Sequence, residues 1–167
     1  MRVWITGIGV TSALGATSEE TFARLVRGDR GLSEIDLFDT SDQRARIGGQ
    51  VRGVTVPRGY EWSRTSAFAL QAATEALAEA RVHPNSSRVG LVVGGTTAGM
   101  FEDELRVARM LMGDEPRVPT QEMRCHPLSS TLDALHAGIG PFCRARTVAS
   151  ACSSGTSALW LLSIASL

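Results

Sequence analysis

The chain has 167 residues, which is enough for one domain with its own core and does not require a second. Its 17 basic residues, all of them arginine, balance its 17 acidic residues, so bulk charge argues against binding to nucleic acid or to an anionic membrane. The hydrophobic content of 43% is typical of a globular protein.

The first residues and the cysteines predict a cytoplasmic protein. The chain opens on a strand pattern rather than a signal peptide, and no apolar run reaches the length needed to span a membrane. The three cysteines, Cys125, Cys143 and Cys152, are odd in number and have no CxxC spacing. A reducing compartment is therefore the simpler interpretation of the thiols.

The N-terminal residues predict a strand followed by a capped helix. Residues 2–6 form a β-branched run closed by two glycines, which favours a strand ending in a tight loop. Thr17 and Glu20 have the spacing of a capping box. The helix that they begin is expected to end near Gly28.

The middle of the chain predicts alternating helices and strands. Residues 31–57 favour a loop with short strands because they are rich in glycine and mixed in polarity. Alanines at helical spacing predict an amphipathic helix over residues 61–81, and a continuous apolar run predicts a buried strand over residues 88–93. A glycine-rich loop and an acidic helix start follow, with Gly113 as the expected helix end. This alternation predicts an α/β fold with a largely parallel sheet.

The last predicted elements surround a single cysteine. After three prolines, Ser129 or Ser130 is expected to cap a short helix. Residues 147–149 predict a short buried strand. The small residues that follow lead into a helix that is apolar from Ala158 onward. Cys152 therefore lies where a strand gives way to a helix.

That position predicts a covalent nucleophile. A helix N-terminus offers the positive end of its dipole and unpaired N–H groups, which favour the thiolate form of a cysteine. The small neighbours of Cys152 allow a substrate carbonyl to approach the sulfur and the backbone amides together, as acyl transfer requires. The alternative is a buried and inert cysteine, the commoner state of a free thiol, but the strand, turn and helix together favour the nucleophile.

Four segments add a family resemblance to this local argument. They are residues 2–15, residues 38–41 followed by 48–51, the glycine-rich residues 94–100, and residues 147–155 with the sequence TVASACSSG. In this order they resemble the opening strand and loop, the next landmark, the glycine loop and the nucleophile segment of the β-ketoacyl-acyl carrier protein synthases. These are the condensing enzymes of fatty acid and polyketide synthesis.

The resemblance implies a thiolase-like layered fold of the α/β class, with residues 1–167 as its N-terminal half and helices packed on a largely parallel sheet. It implies that Cys152 takes an acyl group from an acyl carrier protein thioester, and that the acyl-enzyme then condenses with a decarboxylating malonyl thioester. The family needs no metal or redox cofactor for this reaction and commonly forms homodimers. Two histidines from its later half assist condensation, and none of the three histidines of this chain occupies a matching position.

Departures from the family pattern keep other interpretations open. Cys143-Arg144 stands where the family usually has Gly-Pro, and the chain ends soon after the nucleophile helix. For that reason we expect a truncated protein. The helix has no polar face from Ala158 onward, so we expect it to be buried between two layers of the complete fold. One alternative is a non-catalytic remnant or partner subunit that keeps the fold and dimer surface. Another is a different cysteine or serine acyl-transfer enzyme, although the Gly-x-Ser-x-Gly and papain-like motifs are absent from the sequence.

Overall fold

The computed structural model of the chain describes residues 4–56, 63–83, 89–114 and 127–164. The described chain divides into two compact units. The N-terminal unit contains residues 4–55 and 71–82, and the C-terminal unit contains the described parts of residues 56–70 and 83–164. No helix in these ranges has both the length and the apolar character needed to cross a membrane.

Helix α1, Ser18–Val26, begins at the predicted capping box. Thr17 Oγ1 accepts a hydrogen bond from the Glu20 N–H at 3.2 Å, and Glu20 Oε2 accepts one from the Ala16 N–H at 3.0 Å. The first bond satisfies one of the N–H groups that a helix start leaves unpaired, and the second ties the residue before the N-cap to the first turn. The helix ends just before Gly28, as predicted. Its exposed apolar side chains are Phe22, Leu25 and Val26.

Strands β1, Ser33–Glu34, and β2, Ile47–Gly48, form a short antiparallel pair. They confirm the short strands predicted within this glycine-rich region. Hydrogen bonds from Gln50 and Arg52 hold the pKa of the Asp36 carboxyl below its ordinary value, so this loop region carries its own polar network.

Helix α2, Arg64–Ala80, confirms the predicted alanine-rich helix and contributes residues to both units. In the N-terminal unit its backbone is approached closely by two glycines. A Cβ on Gly9 would lie 1.8 Å from the carbonyl oxygen of Ala72. A Cβ on Gly7 would lie 2.2 Å from the carbonyl oxygen of Ala76. Glycine is therefore required at both positions by the packing of the chain on the helix.

The predicted N-terminal strand is absent from its described part, residues 4–6, so that prediction is wrong there. The Ile8 N–H donates to Glu79 Oε2 at 2.6 Å, and the Val10 N–H donates to Glu75 Oε2 at 2.9 Å. Backbone groups just beyond the predicted strand thus pair with helix carboxylates rather than with another strand. A β-branched run does not reveal a partner so distant in the sequence.

Glu75 makes the stability of the fold depend on pH. Its carboxylate also accepts hydrogen bonds from the N–H and the hydroxyl of Ser18, at 2.8 Å and 2.7 Å. The Ser18 hydroxyl, followed by the Val10 and Ser18 amides, holds the pKa of Glu75 below its ordinary value of 4.5. A carboxyl whose pKa is lowered by folding stabilises the fold above its ordinary pKa, and that contribution is lost as the pH falls through the folded-state pKa.

We expect Glu75→Gln to lower the urea midpoint at neutral pH, because a neutral amide accepts these bonds more weakly than a carboxylate. We also expect the variant to lose less stability than the parent chain as the pH falls below 4.5. Glu19→Gln is the matched control, since Glu19 is exposed and its side chain makes no hydrogen bond with a described residue. Identical pH profiles for the Glu75 variant and the parent chain would contradict this role.

The C-terminal unit is built on a parallel strand pair. Strand β3, Gly90–Gly94, pairs with β4, Arg144–Val148, with Gly90 opposite Arg144 and Gly94 opposite Val148. Both strands were predicted, but neither is fully buried: β3 is half-buried at its centre and β4 is largely exposed. In the described chain this sheet has only these two strands. Each strand therefore has one edge without a neighbouring strand, and the buried strands that the sequence predicts are only partly covered.

Three helices complete the C-terminal unit. Helix α3, Met100–Met112, ends at the predicted Gly113, whose φ of 83° is a left-handed value suited to glycine. Helix α4, Pro127–Ile139, begins before the predicted caps Ser129 and Ser130, so that prediction is wrong. Proline is favoured in the first turn of a helix, which explains the earlier start. Helix α5, Ser154–Ile164, packs on β3 and β4.

The core of the C-terminal unit combines small apolar residues with a chain of buried hydroxyls. Ser63 Oγ accepts a hydrogen bond from the Ser66 N–H at 3.0 Å and so caps α2. Ser66 Oγ donates to Thr131 Oγ1 at 3.3 Å, which links α2 to α4. Each buried hydroxyl thereby has a partner, as burial demands. The buried apolar residues around them include Ala67, Leu128, Ala134, Leu135 and Ala158.

Candidate active site

Cys152 lies at a sharp bend between β4 and α5. A 3₁₀ helix, Ala151–Ser153, connects the strand to the helix, which confirms the predicted strand, turn and helix. The Cys152 thiol is free and its residue is exposed. We call residues 150–154 the elbow.

The elbow contains a strained backbone. Ala151 has a φ of 46°, in the left-handed region that costs an L-residue other than glycine about 1–2 kcal/mol. Its carbonyl oxygen accepts hydrogen bonds from the Ser154 N–H, from Ser154 Oγ at 2.8 Å and from Thr96 Oγ1 at 2.9 Å. These contacts hold the backbone in a conformation that alanine alone would not favour.

Serine side chains tie the elbow together. Ser154 is buried, and its Oγ accepts a hydrogen bond from the Ser150 N–H at 2.9 Å. Ser150 Oγ donates to Ser157 Oγ at 2.9 Å, one turn into α5. Ser153 Oγ donates to the Ser150 carbonyl oxygen at 2.7 Å. The run of small residues is therefore a hydrogen-bonded support for the turn as well as an open approach to the sulfur.

The end of β3 brings the glycine-rich loop against the elbow. A Cβ on Gly94 would lie 2.4 Å from the carbonyl oxygen of Ser154, so only glycine lets the strand and α5 meet at this distance. The Gly95 N–H donates to the Val148 carbonyl oxygen at 3.1 Å and continues the strand pairing. Thr96, the next residue, thus lies beside the turn that carries Cys152.

The backbone N–H of Cys152 is the second reactive group that the elbow offers. No described residue accepts a hydrogen bond from it. An exposed thiol and an unpaired amide of the same residue are the two groups that acyl transfer needs, one to attack a carbonyl carbon and one to stabilise the oxygen that becomes negative.

The titratable residues outside the elbow were considered as metal ligands. Within the described ranges, no group of three or more histidine, cysteine, aspartate or glutamate side chains could hold a metal ion. His136 is exposed on α4, with its ring 6.0 Å from that of Phe142, and His83 is also exposed. Cys125 and His126, whose adjacency in sequence is poor metal-ligand spacing, lie outside the described residues.

The sequence did not reveal that Thr96 donates a hydrogen bond to the elbow, or that the Ser154 side chain anchors the elbow backbone. Both were visible only as members of small-residue runs. One signal could have joined them: each run follows a strand of a predicted parallel sheet, and the carboxyl ends of parallel strands meet at one edge. Which hydroxyl reaches which carbonyl depends on the packing of α5 against β3, and no local pattern encodes that packing.

Comparison with known proteins gives a consistent family assignment. The family model described as "Beta-ketoacyl synthase, N-terminal domain" matches residues 1–166. The chain is 28% identical over 114 residues to 3-oxoacyl-[acyl-carrier-protein] synthase 2 of Synechocystis sp., covering 62% of this chain and 27% of the relative. It is 31% identical over 119 residues to the tetracenomycin polyketide synthase ketoacyl synthase alpha subunit of Streptomyces glaucescens, covering 64% and 28%.

The fold is also that of a solved ketosynthase. A structure titled "The ishigamide ketosynthase/chain length factor" matches 98% of this chain with a TM-score of 0.77 and 22% sequence identity. The match covers 44% of that chain, and the matches to the two curated relatives cover little more than a quarter of their length. The predicted thiolase-like fold of the α/β class is confirmed.

Proposed function

Because the chain belongs to the β-ketoacyl synthase family through its N-terminal domain, we propose that residues 1–167 are the nucleophile-bearing half of a condensing enzyme of fatty acid or polyketide synthesis. The observation that carries the proposal is the exposed Cys152 on the elbow, with a free thiol and an N–H that pairs with no described residue. The relatives' names supply the substrate class, since one is a synthase acting with acyl carrier protein.

In the proposed first step, the Cys152 sulfur attacks the carbonyl carbon of an acyl carrier protein thioester. The carbonyl oxygen becomes an oxyanion that the Cys152 N–H stabilises, and losing such a donor typically raises a barrier by roughly 3 kcal/mol. The bond to the carrier sulfur then breaks, the carrier leaves as a thiol with the proton that Cys152 gave up, and the acyl group remains on Cys152.

In the proposed second step, the acyl-enzyme condenses with a malonyl thioester that loses carbon dioxide. This step needs polarising groups besides the elbow, and we assign them to the C-terminal half of the family's proteins, which this chain does not span. The whole protein acts as a homodimer without a metal or redox cofactor. It works in the cytoplasm, where thiols such as Cys143 and Cys152 stay reduced.

Intact-mass measurement after incubation with an acyl carrier protein thioester tests the proposal. We expect a slow mass increase of one acyl group, located by peptide mapping to Cys152, and no β-ketoacyl product when malonyl carrier protein is added. Adding the C-terminal half of a family member, in trans or by fusion, is expected to restore condensation. Absence of any acyl adduct would favour the alternative, a non-catalytic remnant or partner subunit that keeps the fold.

A further inference from the structure

Two hydroxyl groups from separate segments converge on one carbonyl oxygen in the elbow. Thr96, just after β3, places Oγ1 2.9 Å from the Ala151 carbonyl oxygen. Ser154, at the start of α5, places Oγ 2.8 Å from the same atom. The two hydroxyls are 3.4 Å apart. The residue that they hold directly precedes Cys152.

The hydrogen bonds assign both hydroxyl protons to this carbonyl. A hydroxyl has one proton to donate and can also accept. Ser154 Oγ accepts from the Ser150 N–H at 2.9 Å, and it lies 2.8 Å from the Ala151 oxygen but 3.3 Å from the Gly95 oxygen, so the Ala151 oxygen is the nearer acceptor for its proton. Among the described backbone carbonyls, Thr96 Oγ1 donates to that of Ala151.

Holding this carbonyl also directs the Cys152 amide. A trans peptide is planar, so the Ala151 C=O and the Cys152 N–H belong to one rigid plane and point in opposite directions. Thr96 and Ser154 bind one side of that plane, and the N–H on the other side has no acceptor among the described residues. Since Ala151 has a strained φ of 46°, the plane needs such contacts to keep its orientation.

We infer that Thr96 and Ser154 are positioning residues for acyl transfer, and that their hydroxyls orient the Ala151-Cys152 peptide so that its N–H meets the developing oxyanion. The inference rests on the proposed function, because it assigns a role within that reaction. In this role both hydroxyls act through the peptide plane rather than on the substrate itself. Oxyanion stabilisation depends on donors that are already oriented, so a plane that can rotate stabilises the transition state less.

Thr96→Val in the full chain tests the inference, because valine keeps the shape and removes the donor. Two rates are measured for Cys152: acylation by octanoyl-pantetheine thioester and alkylation by iodoacetamide. Acylation builds an oxyanion and alkylation does not. We expect acylation to slow by about tenfold or more, while alkylation stays within about twofold of the parent rate. Thr96→Ser, which retains a hydroxyl, is expected to restore acylation.

Thr97→Val is the matched control, since Thr97 is an exposed neighbour whose side chain makes no hydrogen bond with a described residue. Ser154→Ala is a second variant, expected to slow acylation as well. If Thr96→Val acylates at the parent rate, the inference is wrong while the proposed function stands. If both rates fall together, the hydroxyl supports the thiol or the fold and the inference is again wrong. A parent chain that alkylates but never acylates would overturn the inference and the proposed function alike.

Discussion

Cys152→Ala is expected to abolish the acyl adduct completely, because the sulfur is the atom that attacks the thioester and alanine has nothing to replace it. The fold is expected to survive, since Cys152 is exposed and its side chain makes no described hydrogen bond. The measurement is intact mass after incubation with the acyl thioester, together with the urea midpoint as a check on folding. We expect no adduct and a midpoint close to that of the parent chain.

Cys143→Ala is the matched control for this variant. Cys143 is also free and exposed, but it lies just before β4 rather than at the elbow. We expect this variant to form the adduct at the parent rate. An adduct that persists in Cys152→Ala and disappears in Cys143→Ala would show that Cys143 is the acylated thiol, and it would remove the case for the elbow.

Gly94→Ala is expected to destabilise the C-terminal unit. The new Cβ would lie 2.4 Å and 2.8 Å from backbone atoms of Ser154, and 3.1 Å from the Ala158 Cβ. Backbone atoms cannot move aside as a flexible side chain can, so α5 must shift away from β3. Overpacking of this kind costs about 1–3 kcal/mol, and we expect the upper end because the clash involves backbone. Acylation is expected to fall with stability, since Ser154 anchors the elbow.

Gly90→Ala in the same strand provides the comparison. A Cβ at Gly90 would lie 3.6 Å from the Arg144 carbonyl oxygen, an ordinary van der Waals distance. Alanine also reduces the freedom of the unfolded chain, so we expect this variant to be neutral or slightly more stable than the parent. Urea midpoints measure both variants, and equal losses would mean that glycine in β3 matters for the strand itself rather than for its contact with α5.

Two elements encoded by neighbouring residues were predicted correctly from the sequence. The capping box of α1 depends on Thr17 and Glu20, three positions apart, and it forms as predicted. The strand, turn and helix around Cys152 likewise follow from a continuous run of small and apolar residues. In these cases the residues that define the pattern also make the contacts.

Elements that depend on distant partners were not predictable in the same way. The expected N-terminal strand is replaced in its described part by a segment whose next amides bond to Glu75 and Glu79 on α2. Thr96 and Ser154 form their shared contact only because β3 and β4 pair in parallel. Sequence spacing carries no direct record of either arrangement.

Helix α5 is a further case in which the burial expected from the sequence differs from the burial in the structure. The sequence predicts a helix that belongs between layers because it has no polar face. In the described chain Ala158 is buried, whereas Leu159 and Trp160 are 64% and 62% exposed. The inner side of α5 is therefore covered by β3 and β4, and its outer side presents apolar surface to solvent.

The left-handed backbone of Ala151 also has a stereochemical consequence. At a φ of 46° the Cβ of an L-residue lies close to a carbonyl oxygen, whereas the mirror-image residue occupies this region without that crowding. The elbow is thus a site where D-alanine suits the backbone better than its natural enantiomer. Because Cys152 follows directly, the junction is one at which peptide-thioester ligation joins two segments. The handedness of a single residue can therefore be inverted in the finished protein while every side chain keeps its chemical identity.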